Sequence, residues 1–466
     1  MTDELWRMGA ADLADAIRGR EVTSRAVVEA HLARINAINP SLNAITATLA
    51  DSALAAADAA DAATAAGTAT GPLHGVPMTV KENIDLAGSA TTQGLVAMAQ
   101  AVPPLDAPHI AQMKAAGAIP IGRTNLPDFA MRWHTDNALH GATKNPWDAT
   151  RTPGGSSGGD ACALATGMTP LGMGNDYGGS LRWPSQCCGT VALRPTLGRV
   201  PYASSLPPTE MPMTLQLFAV QGPMARHVRD LRVAFEAMCG PDARDPWYMP
   251  VPLHGPEVPK RVALTLDPGG LGVDPIVAAG VQKAADALRD AGYEVEEVDA
   301  PLVAEARDTW AAEVLSELRV GLMPLLQQVA SKDALRFLEC AFGAVPALDY
   351  TGYIASFGAR QGIARAWSEF HARYPIVLGP VATMQPFTMG YDLEGPEQVL
   401  ELITGLRFVV LGNLLGLPVA VVPVGVDAGM PQTVQIIGDR YREDLCLDAA
   451  EAIEQRLGVI TPIDPR

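Results

Sequence analysis

The chain has 466 residues, 48% of them apolar and 18% charged, a balance that supports a large buried core and excludes global disorder. Its 34 basic and 51 acidic side chains leave a net charge of −17, which argues against nucleic acid or an anionic membrane surface as partner. Six cysteines in so long a chain make no disulfide framework, and the eight histidines are scattered without a CxxC or HExxH run, so neither a metal nor another cofactor is expected.

The stretch from Met1 to Gly19 places acids early and lacks the apolar core of a signal peptide, so a soluble, cytoplasmic protein is expected. Apolar residues recur at helical spacing over residues 11–36, with Thr23 or Ser24 placed to cap a second helix. An Ala/Asp-rich helix over 53–66 ends in a Gly67–Gly71 loop, and a strand-like run follows from Gly75 to Lys81. A helix near 107–116 leads into a short strand at 118–122, a β-α-β rhythm that points to an α/β sheet. Cys162–Met173 reads as one buried helix, and 250–259 as a linker or surface loop.

Residues 260–300 read as strand, helix and strand (261–266, 275–291 and 294–298), and 302–373 as mostly helical. Strands are expected again at 376–378, 420–424 and 432–437, before a closing helix at 442–457. The apolar stretch Phe408–Val426 contains Asn413, two prolines and three glycines, and so reads as a helix end and core strand rather than a membrane span. One α/β domain over 1–466 is the simplest organisation. Its core lies near 70–230, a helical excursion near 300–373, and a final sheet and helix over 374–466.

The most glycine-dense part of the chain runs from Thr150 to Gly198. It contains Gly154-Gly-Ser-Ser-Gly-Gly159 and Asn175-Asp-Tyr-Gly-Gly-Ser180. Acyl transfer needs a nucleophile, a proton acceptor and several N–H donors converging on a developing oxyanion, and glycine pairs let backbone amides converge without obstruction. A phosphate loop would want a lysine after the glycines or a complete GxGxxG run, and neither is present. Gly154-Gly-Ser156-Ser-Gly158 also fits the GxSxG nucleophile elbow. That elbow needs a buried strand before it, where this chain has the polar, proline-ended Asp148–Pro153.

Together with Gly174-x-Asp-x-Gly-Gly-Ser180-x-Arg182-x-Pro184 and Cys188-Gly, these motifs resemble those of the amidase signature enzymes. Leu73-His-Gly-Val-Pro-Met-Thr-Val-Lys-Glu-Asn83, Gly122-Arg-Thr-Asn125, Lys144-Asn-Pro-Trp147, Gln221-Gly-Pro-Met-Ala-Arg226, Gly416-Leu-Pro and Gln435-Ile-Ile-Gly438 extend the resemblance over nearly the whole chain. It implies a large mixed, twisted β-sheet covered on both faces by helices. It also implies a Ser–cis-Ser–Lys triad, with Ser180 as nucleophile, Ser156 as bridging serine after a cis peptide bond, and Lys81 as general base. The backbone N–H groups of Tyr177, Gly178, Gly179 and Ser180 would form the oxyanion hole. A lysine acts as a base only when neutral, so Lys81 must be buried or set among groups that lower its pKa.

Where many relatives have Thr-Asp-Thr-Gly-Gly-Ser, this chain has Asn175 and Tyr177, and Trp183 follows the nucleophile. Ala130, Met131, Trp133 and Trp183 are the candidates for lining a substrate pocket, in competition with plain core packing. Glu210 in the apolar 210–218 stretch is expected in solvent. Asp176 and Arg182 are expected to make a charge-assisted bond, and Cys187 and Cys188 to pack as small buried residues. The function expected is hydrolysis of an aryl or alkyl amide, or of a carbamate as in a urethanase, through an acyl-enzyme. Alternatives are the glutaminase component of a tRNA-dependent amidotransferase and a silent amide-binding protein. The expected partner is the small-molecule substrate, with no nucleic acid and no membrane, and a homodimer is the candidate assembly.

Overall fold

The computed structural model describes residues 2–69 and 71–466. Met1 and Thr70, the latter inside the expected Gly67–Gly71 loop, lie outside the described residues. Eleven strands among the described residues form one mixed sheet. They are β1 (Ile45–Thr48), β2 (Pro77–Lys81), β3 (Ile119–Thr124), β4 (Leu171–Asp176), β5 (Val191–Arg194), β6 (Val220–Ala225), β7 (Arg261–Leu264), β8 (Glu294–Glu297), β9 (Ile376–Pro380), β10 (Val419–Asp427) and β11 (Met430–Gly438). Their order is β1-β3-β2-β4-β6-β5-β10-β11-β9-β7-β8. β2 runs parallel to both β3 and β4, whereas the centre from β4 to β9 pairs antiparallel.

Two apolar cores lie against this sheet. Side chains alternate between the faces of a strand, and in β2 this sends Met78 and Val80 into one core. Thr79 and Lys81 are thereby turned toward the other face, where the helix Gly158–Ala165 packs. β2 is buried along its whole length, so Lys81 ends up in the interior.

The elements expected from 260 onward form close to their expected bounds, including the helices Val303–Glu317, Met323–Val329, Lys332–Ala344 and Tyr350–His371. The run Cys162–Met173 is a correction. The helix stops at Ala165, and Leu171–Asp176 is a strand. Pro170 disfavours helical backbone at Thr169, and Leu171-Gly-Met173-Gly alternates apolar and small residues, as a strand with one crowded face requires. The glycines supply the room. A Cβ on Gly174 would lie 2.9 Å from the Ser157 hydroxyl oxygen, and one on Gly172 would lie 3.0 Å from Asp160.

The stretch Phe408–Val426 divides between the helix Arg407–Leu415, buried throughout, and β10. No single described helix is long and apolar enough to cross a membrane.

Candidate active site

Lys81 closes β2 with its amine beneath the glycine-serine loop. Its Nζ lies 2.7 Å from Ser156 Oγ, 3.0 Å from Ser157 Oγ and 2.8 Å from Asn175 Oδ1. An ammonium would donate all three hydrogen bonds. A neutral amine would donate two, to Asn175 and Ser157, and turn its lone pair to the Ser156 O–H. Complete burial brings the Lys81 amine down from 10.5 to about 7, against the opposing pull of Asp160 and Asp176. The site therefore holds its lysine where both protonation states are populated near neutrality.

Ser156 follows a cis peptide bond from Gly155. Ser157 occupies the N-cap position of the Gly158–Ala165 helix but makes no side-chain capping bond. A serine there ordinarily caps the first turn, whereas this hydroxyl is engaged by Lys81. Asp160, in the first turn of the helix, is fully buried with Thr79 donating to its Oδ1 at 3.4 Å. Burial pushes its carboxyl up to about 7, opposed by the hydroxyls of Thr124 and Thr79 and by Lys81. Ser157, Asp160 and Asn175 carry no sequence motif that assigns them to the lysine's surroundings. The Asn175 departure from the usual Thr is the one available signal.

Ser180 lies just past β4 and is 6% exposed. Its carbonyl accepts the Ser157 N–H at 3.2 Å, which ties the two serine loops together. Its hydroxyl makes no hydrogen bond among the described residues. Of the four backbone donors expected at the oxyanion, Gly179 already gives its N–H to Asp176 Oδ1 at 2.8 Å. Asp176 is also gripped by Arg182, at 2.9 and 3.1 Å, and by Asn413 at 2.7 Å. Burial alone would raise the Asp176 carboxyl, but Arg182, Arg194 and Asn413 hold it well below the usual range. The expected Asp176–Arg182 bond is thus present and fully buried.

The pocket candidates divide. Ala130 and Met131 are half-buried, and Trp133 is 8% exposed. Trp183 has no exposed surface. Its ring stacks on Phe387 and its indole N–H donates to the Trp133 carbonyl at 3.0 Å, so it supports the Trp133 loop and offers no face to a substrate. The Tyr177 ring packs inward between Phe218 and Trp310, with its hydroxyl 2.6 Å from Thr214 Oγ1. Phe337, Trp133, Trp310, Tyr177 and Phe218 form a continuous aromatic row, with successive ring centroids 6.1 to 6.4 Å apart. Trp310 and Phe337 come from the helices of the 300s and carry no sequence motif. Cys187 and Cys188 are buried with thiols pushed up by desolvation, unlike reactive thiols. Glu210 is exposed.

Comparison with known proteins fits this architecture. The chain is 44% identical to an indoleacetamide hydrolase of Bradyrhizobium diazoefficiens, covering 98% of this chain and 88% of that one. It is 31% identical to a glutamyl-tRNA(Gln) amidotransferase component of Heliobacterium modesticaldum, covering 98% of both. A bacterial aryl acylamidase structure superposes with a TM-score of 0.82 at 26% identity over 96% of each chain. Fold and relatives together define an amide hydrolase built on a mixed α/β sheet. Residues 26–447 match the Amidase family, and the chain belongs to the amidase signature enzymes.

Proposed function

We propose that the chain hydrolyses an arylacetamide-type primary amide through Ser180, Ser156 and Lys81. The observation that carries this reading is the buried Lys81 amine, 2.7 Å from Ser156 and brought down to about 7. Neutral Lys81 takes a proton from Ser156 as Ser156 takes one from Ser180, and Ser180 Oγ bonds to the amide carbon. The carbonyl electron pair moves onto oxygen, which the free backbone N–H groups of the Tyr177–Ser180 loop hold. Collapse expels the amine with a proton returned through the same serine, and water then releases the acid.

The aromatic row through Trp133, Trp310 and Tyr177 favours a flat acyl group, and the likeness to an indoleacetamide hydrolase agrees with it. A urethane carbonyl would follow the same steps, so aryl carbamates belong in the substrate panel. The second reading, a glutaminase working within an amidotransferase, is favoured by the likeness to the amidotransferase component. An aromatic wall suits glutamine's polar chain poorly. The net charge of −17 suits work in free solution in the cytoplasm, away from nucleic acid.

Purified enzyme assayed for ammonia release from indole-3-acetamide, phenylacetamide and glutamine, and for arylamine release from an N-aryl carbamate, distinguishes these readings. Turnover of arylacetamides far above glutamine is expected, and the reverse order refutes the proposal. Ser180→Ala is expected to abolish turnover while leaving the melting temperature near that of the parent. Full activity in that variant would remove Ser180 from the chemistry.

A further inference from the structure

We infer that the indole N–H groups of Trp133 and Trp310 are positioning donors: Trp310 aims the free Gly178 N–H at the oxyanion, and Trp133 anchors the next peptide of the same loop. The inference rests on the reading of Ser180 as nucleophile and concerns how the neighbouring peptide planes are fixed. Trp310 Nε1 donates to the Tyr177 carbonyl at 3.3 Å, and Trp133 Nε1 donates to the Gly178 carbonyl at 2.8 Å. These are the two successive peptide units, Tyr177–Gly178 and Gly178–Gly179, that lead into the Gly179–Ser180 unit. A trans peptide is planar, with its C=O and N–H pointing in opposite directions. Holding the Tyr177 carbonyl therefore aims the Gly178 N–H away from the indole, and holding the Gly178 carbonyl does the same for the Gly179 N–H.

The second of these N–H groups is spent inside the protein, since Gly179 N–H meets the buried Asp176 Oδ1 at 2.8 Å, so the Trp133 bond anchors the loop rather than aiming a free donor. The first, on Gly178, has no acceptor among the described residues. It is thus a donor fixed in direction and left free. A peptide unit that accepts a hydrogen bond at its carbonyl is polarised and donates more strongly at its N–H. The Trp310 bond thus both aims and strengthens the Gly178 donor.

The surrounding packing is built for these two contacts. A Cβ on Gly178 would lie 2.6 Å from Trp310 Cζ2, so only glycine admits the ring so close to the loop. The two indoles lie 6.1 Å apart and brace each other, with Phe337 edge-on to Trp133. Trp183 in turn donates to the Trp133 carbonyl at 3.0 Å. Rings that only filled space or lined a pocket would have no need to turn both N–H groups onto adjacent carbonyls of one loop.

The test compares Trp310→Phe and Trp133→Phe, which keep an aromatic ring and remove the N–H. Each is expected to lower kcat on the order of tenfold, less than the loss from deleting an oxyanion donor outright, with KM nearly unchanged. An arylacetaldehyde adds to a serine hydroxyl as a hemiacetal: the Ser Oγ–C bond forms, the carbonyl pair moves to oxygen and the hydroxyl proton passes to the base. Affinity for this aldehyde is expected to fall by the same factor as kcat/KM. Binding of the uncleaved amide to the Ser180→Ala background is expected to stay constant. In the infrared, the acyl-enzyme carbonyl stretch should move to higher wavenumber in Trp310→Phe.

Unchanged kcat, or a raised KM at constant kcat, overturns the inference and leaves the rings as pocket walls. If one variant fails to fold, the other carries the same comparison. Fluorophosphonate labelling of Ser180 in the parent enzyme tests the nucleophile separately. Labelling with full activity in both Phe variants sinks only the positioning role, whereas no labelling sinks the reading beneath it.

Discussion

Lowering the assay from about pH 9 to about pH 5 perturbs the Lys81 amine through the middle of its titration. An ordinary lysine at 10.5 would be neutral in about one molecule in three thousand at pH 7, whereas one brought to about 7 is neutral in about half. Burial thus multiplies the active fraction roughly a thousandfold at neutral pH. The sign follows from the role: the base works neutral, so kcat/KM should rise with pH, reach half its plateau near 7, and fall about tenfold per unit below that. The groups that pull the Lys81 pKa upward are Asp160, from the helix Gly158–Ala165, and Asp176, from β4. Asp160→Asn removes one of these pulls, so its midpoint should move to lower pH. The measurement is kcat/KM of an uncharged amide across pH 5–9, with circular dichroism at each end confirming the fold. A profile flat over this range, or one still climbing toward 10, would refute the assignment of Lys81 as the neutral base.

Asn175→Leu removes an acceptor that favours the ammonium form, so its rate midpoint should fall while its plateau drops on the order of tenfold from a misaimed lysine; a pH–rate profile reads both. Arg182→Met strands the buried Asp176 carboxylate, with Arg194 left at 4.0 Å, and should cost about 3–5 kcal/mol in urea denaturation. Gly178→Ala drives a methyl into the Trp310 ring and should abolish turnover with a smaller effect on the melting temperature, as read by steady-state assay and calorimetry.

The three residues expected to carry the chemistry are legible because each sits in a short, locally determined setting. Lys81 ends an alternating apolar run, and both serines lie among glycines that few other uses would require. Its partners are harder to read. Ser157 resembles a helix cap and Asn175 a neutral replacement, since nothing local tells that their oxygens converge on one amine. Trp310 is invisible because its contact with Tyr177 spans 133 residues and lies in helices whose pattern reports only burial. Trp183 misleads for a related reason: a tryptophan beside a nucleophile suggests a pocket, whereas its ring is spent on Phe387. Among the strands, β1, β5 and β6 escape a reading of the sequence. β1 and β5 span only four residues each, and β6 carries Gly222 and Pro223 inside it, against the usual strand preferences.

The clamp on Asp176 has a consequence for how the enzyme is made. Arg182 reaches Asn413 and the Val409 carbonyl, partners that lie 231 and 227 residues further along. A ribosome releases the Ser180 segment long before those partners exist, so the glycine loop emerges with its charged pair uncovered. Contacts of such long range form late and slowly. A site that depends on this clamp is therefore expected to be complete only once the helix Arg407–Leu415 has been made.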